Sequence, residues 1–181
     1  MSNTKTFTRI FTIADYEEEE NWLREQSRKG LHLQKMIQPF LYIFEVGEPE
    51  DVIYRLDYRN DRGDQDYTQM FADYGWECCA RCFGWIYFRK PASTVTCEEE
   101  GELFSDSESR LSMVQHVMMT RMLPLLVVFL CILIPQWMNI MDRPGEGVLE
   151  IIFTVLMVLY VILILHCGRK LYRLRKKLKK F

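Results

Sequence analysis

The sequence predicts an α+β domain joined to a helical hairpin that crosses a membrane twice, and three observations carry that prediction. Two long apolar runs lie near the C-terminus, over 122–141 and 148–165. A strand–helix–strand–strand pattern occurs twice within residues 1–91. The charge is also split. Residues 1–121 hold 22 acidic and 14 basic side chains, a net of -8, whereas 122–181 hold 3 acidic and 9 basic, a net of +6, which together give the -2 of the whole chain. Parts with opposite charge and hydropathy face different surroundings.

Strand signals fall at 6–13, 31–38, 40–46, 52–58, 76–83 and 85–89. These stretches are rich in aromatic and β-branched residues and are bounded by Gly, Pro or Asp. The first helix starts at Asp15, with Glu18 three residues on as the partner of a capping box. Glu17 to Glu20 set negative charge on the positive end of its dipole. Glu20–Arg24 and Glu25–Lys29 are i,i+4 pairs of favourable polarity, and Gly30 ends the helix. The second helix starts near Asp64 or Asp66. Its Tyr67, Met70, Phe71 and Tyr74 form one apolar stripe, and Gly75 closes it. The halves align through Arg9-Ile10 with Arg55-Leu56, Gly30-Leu31 with Gly75-Trp76, and Tyr42-Ile43-Phe44 with Ile86-Tyr87-Phe88. A duplicated βαββ unit predicts an antiparallel sheet with both helices on one face. From 92 to 110 the composition turns to Ser, Thr, Asp and Glu, which reads as an acidic flexible linker.

The run MLPLLVVFLCILIPQWMNIM over 122–141 has no charged residue. At 1.5 Å per residue, a helix of about 20 residues matches a hydrocarbon core of about 30 Å. Pro124 falls in its first turn, Pro135 is placed to kink it, and Trp137 suits the interface. A break rich in turn residues, 142–147, precedes the second run. There Glu150 sits near the expected headgroups, with Arg143 as its nearest cation. The hairpin and its flanks are expected to occupy 111–168. The tail, 169–181, carries eight cations: Arg169, Lys170, Arg173, Arg175, Lys176, Lys177, Lys179 and Lys180. The connecting loop carries one. Cation-rich flanks stay cytoplasmic, so both termini are expected inside the cell membrane. Met1-Ser-Asn-Thr-Lys-Thr-Phe has no apolar segment of the signal-peptide kind, which agrees. Leu171, Leu174 and Leu178 recur at helical spacing among the cations, so the tail reads either as a plain topology anchor or as a helix resting on anionic lipid. Nucleic acid is not an expected partner.

Chemistry is harder to find. The six cysteines form no even framework and read as free thiols. Cys79-x-x-Cys82, with Cys78 beside it, falls in a strand, where residues three apart point to opposite faces. Cys78 and Cys82 would share a face about 13 Å apart at 3.3 Å per residue. A zinc site needs a second ligand pair, and His32 is the only histidine of the domain. The sequence contains no G-x-S-x-G, Walker A loop, G-x-G-x-x-G or H-E-x-x-H. No catalytic residue, metal or cofactor is therefore expected, and the chain does not read as an enzyme. The aromatics offer more. Tyr42, Phe44, Tyr54, Trp85 and Tyr87 alternate with Arg55 and Arg89, so an aromatic face edged with arginine is the candidate binding surface. The same composition would serve a homo-oligomer interface.

Five motifs together resemble a known family. They are Phe11-Thr-Ile-Ala-Asp15-Tyr16-Glu17 with Glu19-Glu20-Asn21-Trp22-Leu23 behind it; Lys29-Gly30-Leu31-His32-Leu33; Tyr54-Arg55-Leu56-Asp57-Tyr58; Gly75-Trp76-Glu77; and Gly84-Trp85-Ile86-Tyr87-Phe88-Arg89-Lys90. Over residues 7–91 this is similar to the bacterial domain of unknown function 2812. Cys78-Cys79 departs from the pattern. The resemblance implies a bacterial protein with such a domain followed by membrane helices, encoded beside transcriptional regulators of the PadR type, and it carries over no activity. The expectation is a membrane-anchored cytoplasmic binding or sensor module for a small ligand or a regulatory protein. The alternative is an accessory or scaffolding subunit of a larger membrane complex such as a transporter.

Overall fold

The repeated strand–helix–strand–strand order folds as two antiparallel sheets of identical topology. In the computed structural model, which describes residues 3–37, 40–59, 65–103, 107–141 and 147–178, the chain divides into two units, Met1–Ser109 and Arg110–Phe181. In the first unit, β1 (Thr4–Thr8), α1 (Tyr16–Ser27), β2 (Leu31–Ile37) and β3 (Leu41–Val46) give a sheet ordered β1-β3-β2. Then β4 (Val52–Tyr58), α2 (Gln65–Asp73), β5 (Glu77–Cys82) and β6 (Trp85–Pro91) give β4-β6-β5. The halves match in detail. Each has a β-bulge, between Leu33 and Lys35 in β2 and between Cys78 and Ala80 in β5, at positions that coincide when Gly30 is laid on Gly75. Both glycines have positive φ, 76° and 81°. At Gly30 a Cβ would stand 2.5 Å from the Gly47 carbonyl oxygen, so the helix end and the β3–β4 connection approach too closely for any side chain.

The helices do not share one face of one sheet. On α1, Trp22 packs against Tyr42 and Phe44 of the first sheet, while Tyr16 stacks on Trp85 of the second. On α2, Phe71 packs against Phe88, in a cluster with Ile53, Trp76 and Ile86. The register opposes Leu56 to Tyr87 and Arg55 to Phe88, so Trp85 and Tyr87 lie on one face of β6, and Ile86 and Phe88 on the other. The second sheet is thus covered by α1 on one side and α2 on the other. That explains why β4 and β6 are buried on both faces except for their arginines and Pro91, a pattern expected of a doubly covered sheet.

Local signals at α1 also resolved differently. The helix begins at Tyr16, as the sequence indicates, but Asp15 makes no capping bond to it. Its carboxylate instead accepts from the Thr12 amide (2.8 Å) and hydroxyl (2.6 Å), holding the preceding turn. Glu20 and Arg24 each take a tertiary partner. Glu20 accepts from the Leu56 amide (2.7 Å) and Arg24 grips Asp51 at 2.6 and 2.8 Å, because tertiary partners at these distances outcompete a solvent-exposed i,i+4 pair.

The expected flexible linker is ordered over its first half. Short 3-10 turns at Ala92–Thr94 and Glu98–Gly101 bring Ala92, Val95 and Leu103 against the Ile53–Phe88 cluster. Arg55 holds Glu102 through two hydrogen bonds of 3.2 and 2.8 Å. Lys90, buried, donates to the carbonyls of Tyr74 (3.0 Å) and Glu100 (3.4 Å). Acidic composition marked this stretch as a spacer, whereas three apolar side chains and two cations fix it in place. Residues 104–106 lie outside the described residues.

In the second unit, α3 (Ser107–Val117), α4 (Leu123–Val128) and α5 (Ile134–Met141) follow one another through wide π-helical turns at Met118–Met122 and Phe129–Leu133. Each wide turn ends two residues before a proline, Pro124 or Pro135. A proline ring collides with the carbonyl four residues back, and the expanded turn gives it room. The helix α6 (Gly147–Leu178) runs unbroken. The hairpin is stitched by the Tyr160 hydroxyl donating to the Leu125 carbonyl (2.7 Å), by Phe129 stacked on Tyr160 at 5.4 Å, and by Trp137 Nε1 donating to Thr154 Oγ1 (3.4 Å).

Candidate functional site

The aromatic surface marked by the sequence is interior. Tyr42, Phe44, Tyr54, Trp85 and Tyr87 are all buried, and the two arginines lie on opposite faces of the second sheet, since Arg89 opposes Tyr54 and Arg55 opposes Phe88. Covering of the sheet by α1 is the reason. A sheet bare on one face would have exposed these rings; here they fill the space between sheet and helix. Arg89 is held by Glu77 at 2.8 and 2.9 Å, which raises its pKa chiefly through that hydrogen bond and lowers that of Glu77 in return.

At the centre of this interior lies a polar node that sequence reading missed. The hydroxyls of Tyr42 and Tyr87 donate to Glu19 Oε1 at 2.8 and 2.7 Å. Burial raises the Glu19 pKa, with the two hydroxyl hydrogen bonds pulling the other way and Asp15 adding to the rise. Burial, then the neighbouring Glu19, pushes both tyrosines well above the ordinary phenol range. The four glutamates 17–20 looked like helix-start residues, yet Glu19 and Glu20 are buried beside Leu23. Helical phase held the clue: Glu19 and Glu20 precede Leu23 by four and three residues and share its face. The node is fully enclosed and ties α1 to one strand of each sheet.

The cysteines are separated by the bulge at Cys79. Cys78 opposes Phe88 and packs on its cluster, whereas Cys82 opposes Trp85 on the other face. The inserted residue reverses the alternation, so Cys78 and Cys82 do not share a face as a regular strand would have it. Cys79 Sγ lies 3.4 Å from the Tyr87 carbonyl oxygen, and burial pushes its thiol up to about 12. A thiol held there is protonated at neutral pH and a poor nucleophile. Among the described residues no group of three His, Cys, Asp or Glu side chains is placed to hold a metal ion. His32 faces the Glu48 carbonyl oxygen at 2.9 Å.

What the domain does present outward is an apolar end of the first sheet. Ile37 opposes Leu41, and the Arg9 amide donates to the Phe40 carbonyl at 2.9 Å, so Ile10, Ile37 and Phe40 gather at one edge. Ile10 is 75% exposed, and the other two are also exposed. Arg9 borders the group, its guanidinium over Phe11 and Trp22 at 5.0 and 5.1 Å. This edge can bury apolar surface against a protein.

The model of the family described as protein of unknown function (DUF2812) matches residues 15–128. The chain belongs to this family. No curated protein and no solved structure matches it. The DUF2812 match starts at the Asp15 turn and runs past the folded domain into the apolar stretch through α4, so the family pattern includes the onset of the first apolar helix. In this DUF2812 chain two helices, Ser109–Asn139 and Glu150–Lys176, are long and apolar enough to cross a membrane. Most of their apolar side chains are exposed, Ile132, Ile151 and Leu159 among them. The tail cations extend the second of these helices directly. Arg169, Arg173 and Lys176 are exposed on α6, while Lys179 and Lys180 lie outside the described residues, as does the side chain of Lys177. Leu171 and Leu174, recurring at helical spacing in the tail, are buried together with Cys167, as are Met113, Val114 and Val117 of α3. Leu171 and Leu174 are thus covered, and the side chain of Leu178 lies outside the described residues.

Proposed function

We propose that this chain is a membrane-anchored binding module, multi-pass with both termini in the cytoplasm, whose folded domain recognises a regulatory protein. The observation that carries the reading is the pairing of a filled domain with an outward-facing apolar hairpin. The domain core is closed around Glu19, so recognition falls to the surface, where the edge at Ile10, Ile37 and Phe40 is exposed, as Tyr74 and Phe83 are elsewhere on the domain. The helices carry exposed Leu, Ile and Val along both runs, which water does not tolerate and hydrocarbon does. The acidic balance of residues 1–121 favours a partner with a cationic rim around an apolar contact.

Two measurements test this. Single-cysteine variants in membrane vesicles are treated with a membrane-impermeant maleimide. Cys97, exposed in the domain, is expected to label from the cytoplasmic side only, and Cys131, inside the first apolar run, only after detergent is added. Labelling of Cys97 from the outer side would sink the topology. For recognition, a photocrosslinker at Ile10 or Phe40 is expected to trap one soluble protein in a ratio near one to one, and a crosslinker at the exposed Glu18 is not. Adducts confined to an integral membrane subunit would favour the second reading, an accessory subunit of a larger membrane complex, which the exposed apolar helices also fit.

A further inference from the structure

The C-terminal half of α6 carries a groove of about 660 Å³ whose character changes along its length. Ile162 and Leu165 form its apolar end; His166, Arg169, Lys170 and Arg173 form its polar end. Spacings of three and four residues put all six on one face of the helix. The buried Cys167 and Leu171 run along the adjoining stripe, and the buried Leu174 also lines the groove, at its far end beside Arg173. From His166 to Arg173 the helix advances about 10 Å, so hydrocarbon-like surface gives way to concentrated positive charge within two turns. A free inorganic anion would use only the polar half of such a groove. A ligand with a phosphate next to an acyl chain uses both, and the arginine fork pairs with two phosphate oxygens at once.

We propose that this groove binds an anionic phospholipid of the cytoplasmic leaflet, its headgroup phosphate between Arg169 and Arg173 and its acyl chain along Ile162 and Leu165. The assignment rests on the membrane-anchored reading above, and it specifies a lipid class where that reading requires only a bilayer. It also makes the cations unequal. Arg175 and Lys176 carry the same charge yet do not line the groove.

The full chain, purified in nonionic detergent, is mixed with equal amounts of phosphatidylglycerol and phosphatidylcholine of matched acyl chains, and the retained lipid is counted by native mass spectrometry. The wild type is expected to retain the anionic lipid by about tenfold over the zwitterionic one. The R169Q/R173Q variant is expected to fall to near parity, while the charge-matched R175Q/K176Q keeps the preference. Equal loss in both variants would mean diffuse attraction and overturn the site, as would no preference in the wild type. Displacement of the lipid by excess inorganic phosphate would assign the site to the free anion and overturn it too. Carbonate extraction of native membranes reads the anchor separately. A chain released by carbonate fails the anchored reading itself, whereas a chain that stays without lipid preference fails only this proposal.

Discussion

Replacing Glu19 distinguishes a carboxyl that the fold tolerates from one that it requires charged. Glu19→Ala leaves the Tyr42 and Tyr87 hydroxyls buried without their shared acceptor. At about 1–3 kcal/mol for each stranded group, the loss is expected to reach about 3–4 kcal/mol. Glu19→Gln keeps a carbonyl oxygen for both hydroxyls and removes the charge that burial opposes, so its cost at neutral pH is expected to stay within about 1 kcal/mol. The pH dependence sharpens the contrast. The folded pKa of Glu19 lies above its unfolded value, so the fold binds the proton more tightly. The stabilisation from that proton is complete below about pH 4.5 and is lost as pH rises through the folded pKa. The stability of Glu19→Gln relative to wild type is therefore expected to improve as pH is raised from about 4.5. Urea unfolding of the full chain in detergent, followed by tryptophan fluorescence in a Trp137→Phe background, reads this through the three domain tryptophans, Trp22, Trp76 and Trp85, of which Trp22 lies 4.9 Å from Tyr42. A Gln variant as damaged as the Ala variant, with a difference from wild type that does not move with pH, would refute the reasoning.

Four further outcomes are expected. Asp51→Asn weakens the tie from α1 to β4 by about 1 kcal/mol, discounted because Asp51 and its arginines are partly exposed; since hydrogen bonds from Arg24 and Arg28 hold its carboxylate well below the usual range, its contribution is present above about pH 4 and fades as pH falls below, which acid unfolding curves of the two proteins would show. Gly30→Ala forces a side chain into positive φ against the Gly47 carbonyl and is expected to cost about 2 kcal/mol or more, seen as a lower urea midpoint. Glu102→Gln removes one of the two carboxylate partners of Arg55, leaving Glu20 at 3.5 Å, and limited proteolysis is expected to cut faster within 95–103. Alkylation at pH 7.5 is expected to modify the exposed Cys97 rapidly and, among the cysteines of the folded domain, Cys79 last, because the Cys79 thiol is held at about 12; mass mapping of the modified peptides checks the order.

Much of the fold was legible because local rules acted alone. Gly30 and Gly75 stop the helices at the indicated places, and both take the left-handed conformation that made glycine informative. The duplicated order survived as two sheets of one topology, down to bulges at aligned positions. The candidate site was not legible in the same way. Alternation along β4 and β6 identifies two faces without stating what covers each, so rings that looked available for a ligand were read as a surface. The bulge at Cys79 is invisible to a period-two reading, and it moved Cys82 to the face opposite Cys78. Composition likewise marked 92–110 as a spacer, although Val95 and Leu103 within it are apolar anchors separated by acids.

By itself the sequence determined the α+β domain, its internal duplication and the two helices long and apolar enough to span a bilayer. Each of those follows from periodicity, turn chemistry or run length, which operate within a few residues. Only the tertiary structure decided that α1 lies across both sheets, that Glu19 faces inward to two tyrosines rather than outward to water, and that Leu171 and Leu174 are buried. Those outcomes depend on which surface meets which across tens of residues, and burial, not local propensity, sets the energy of that choice.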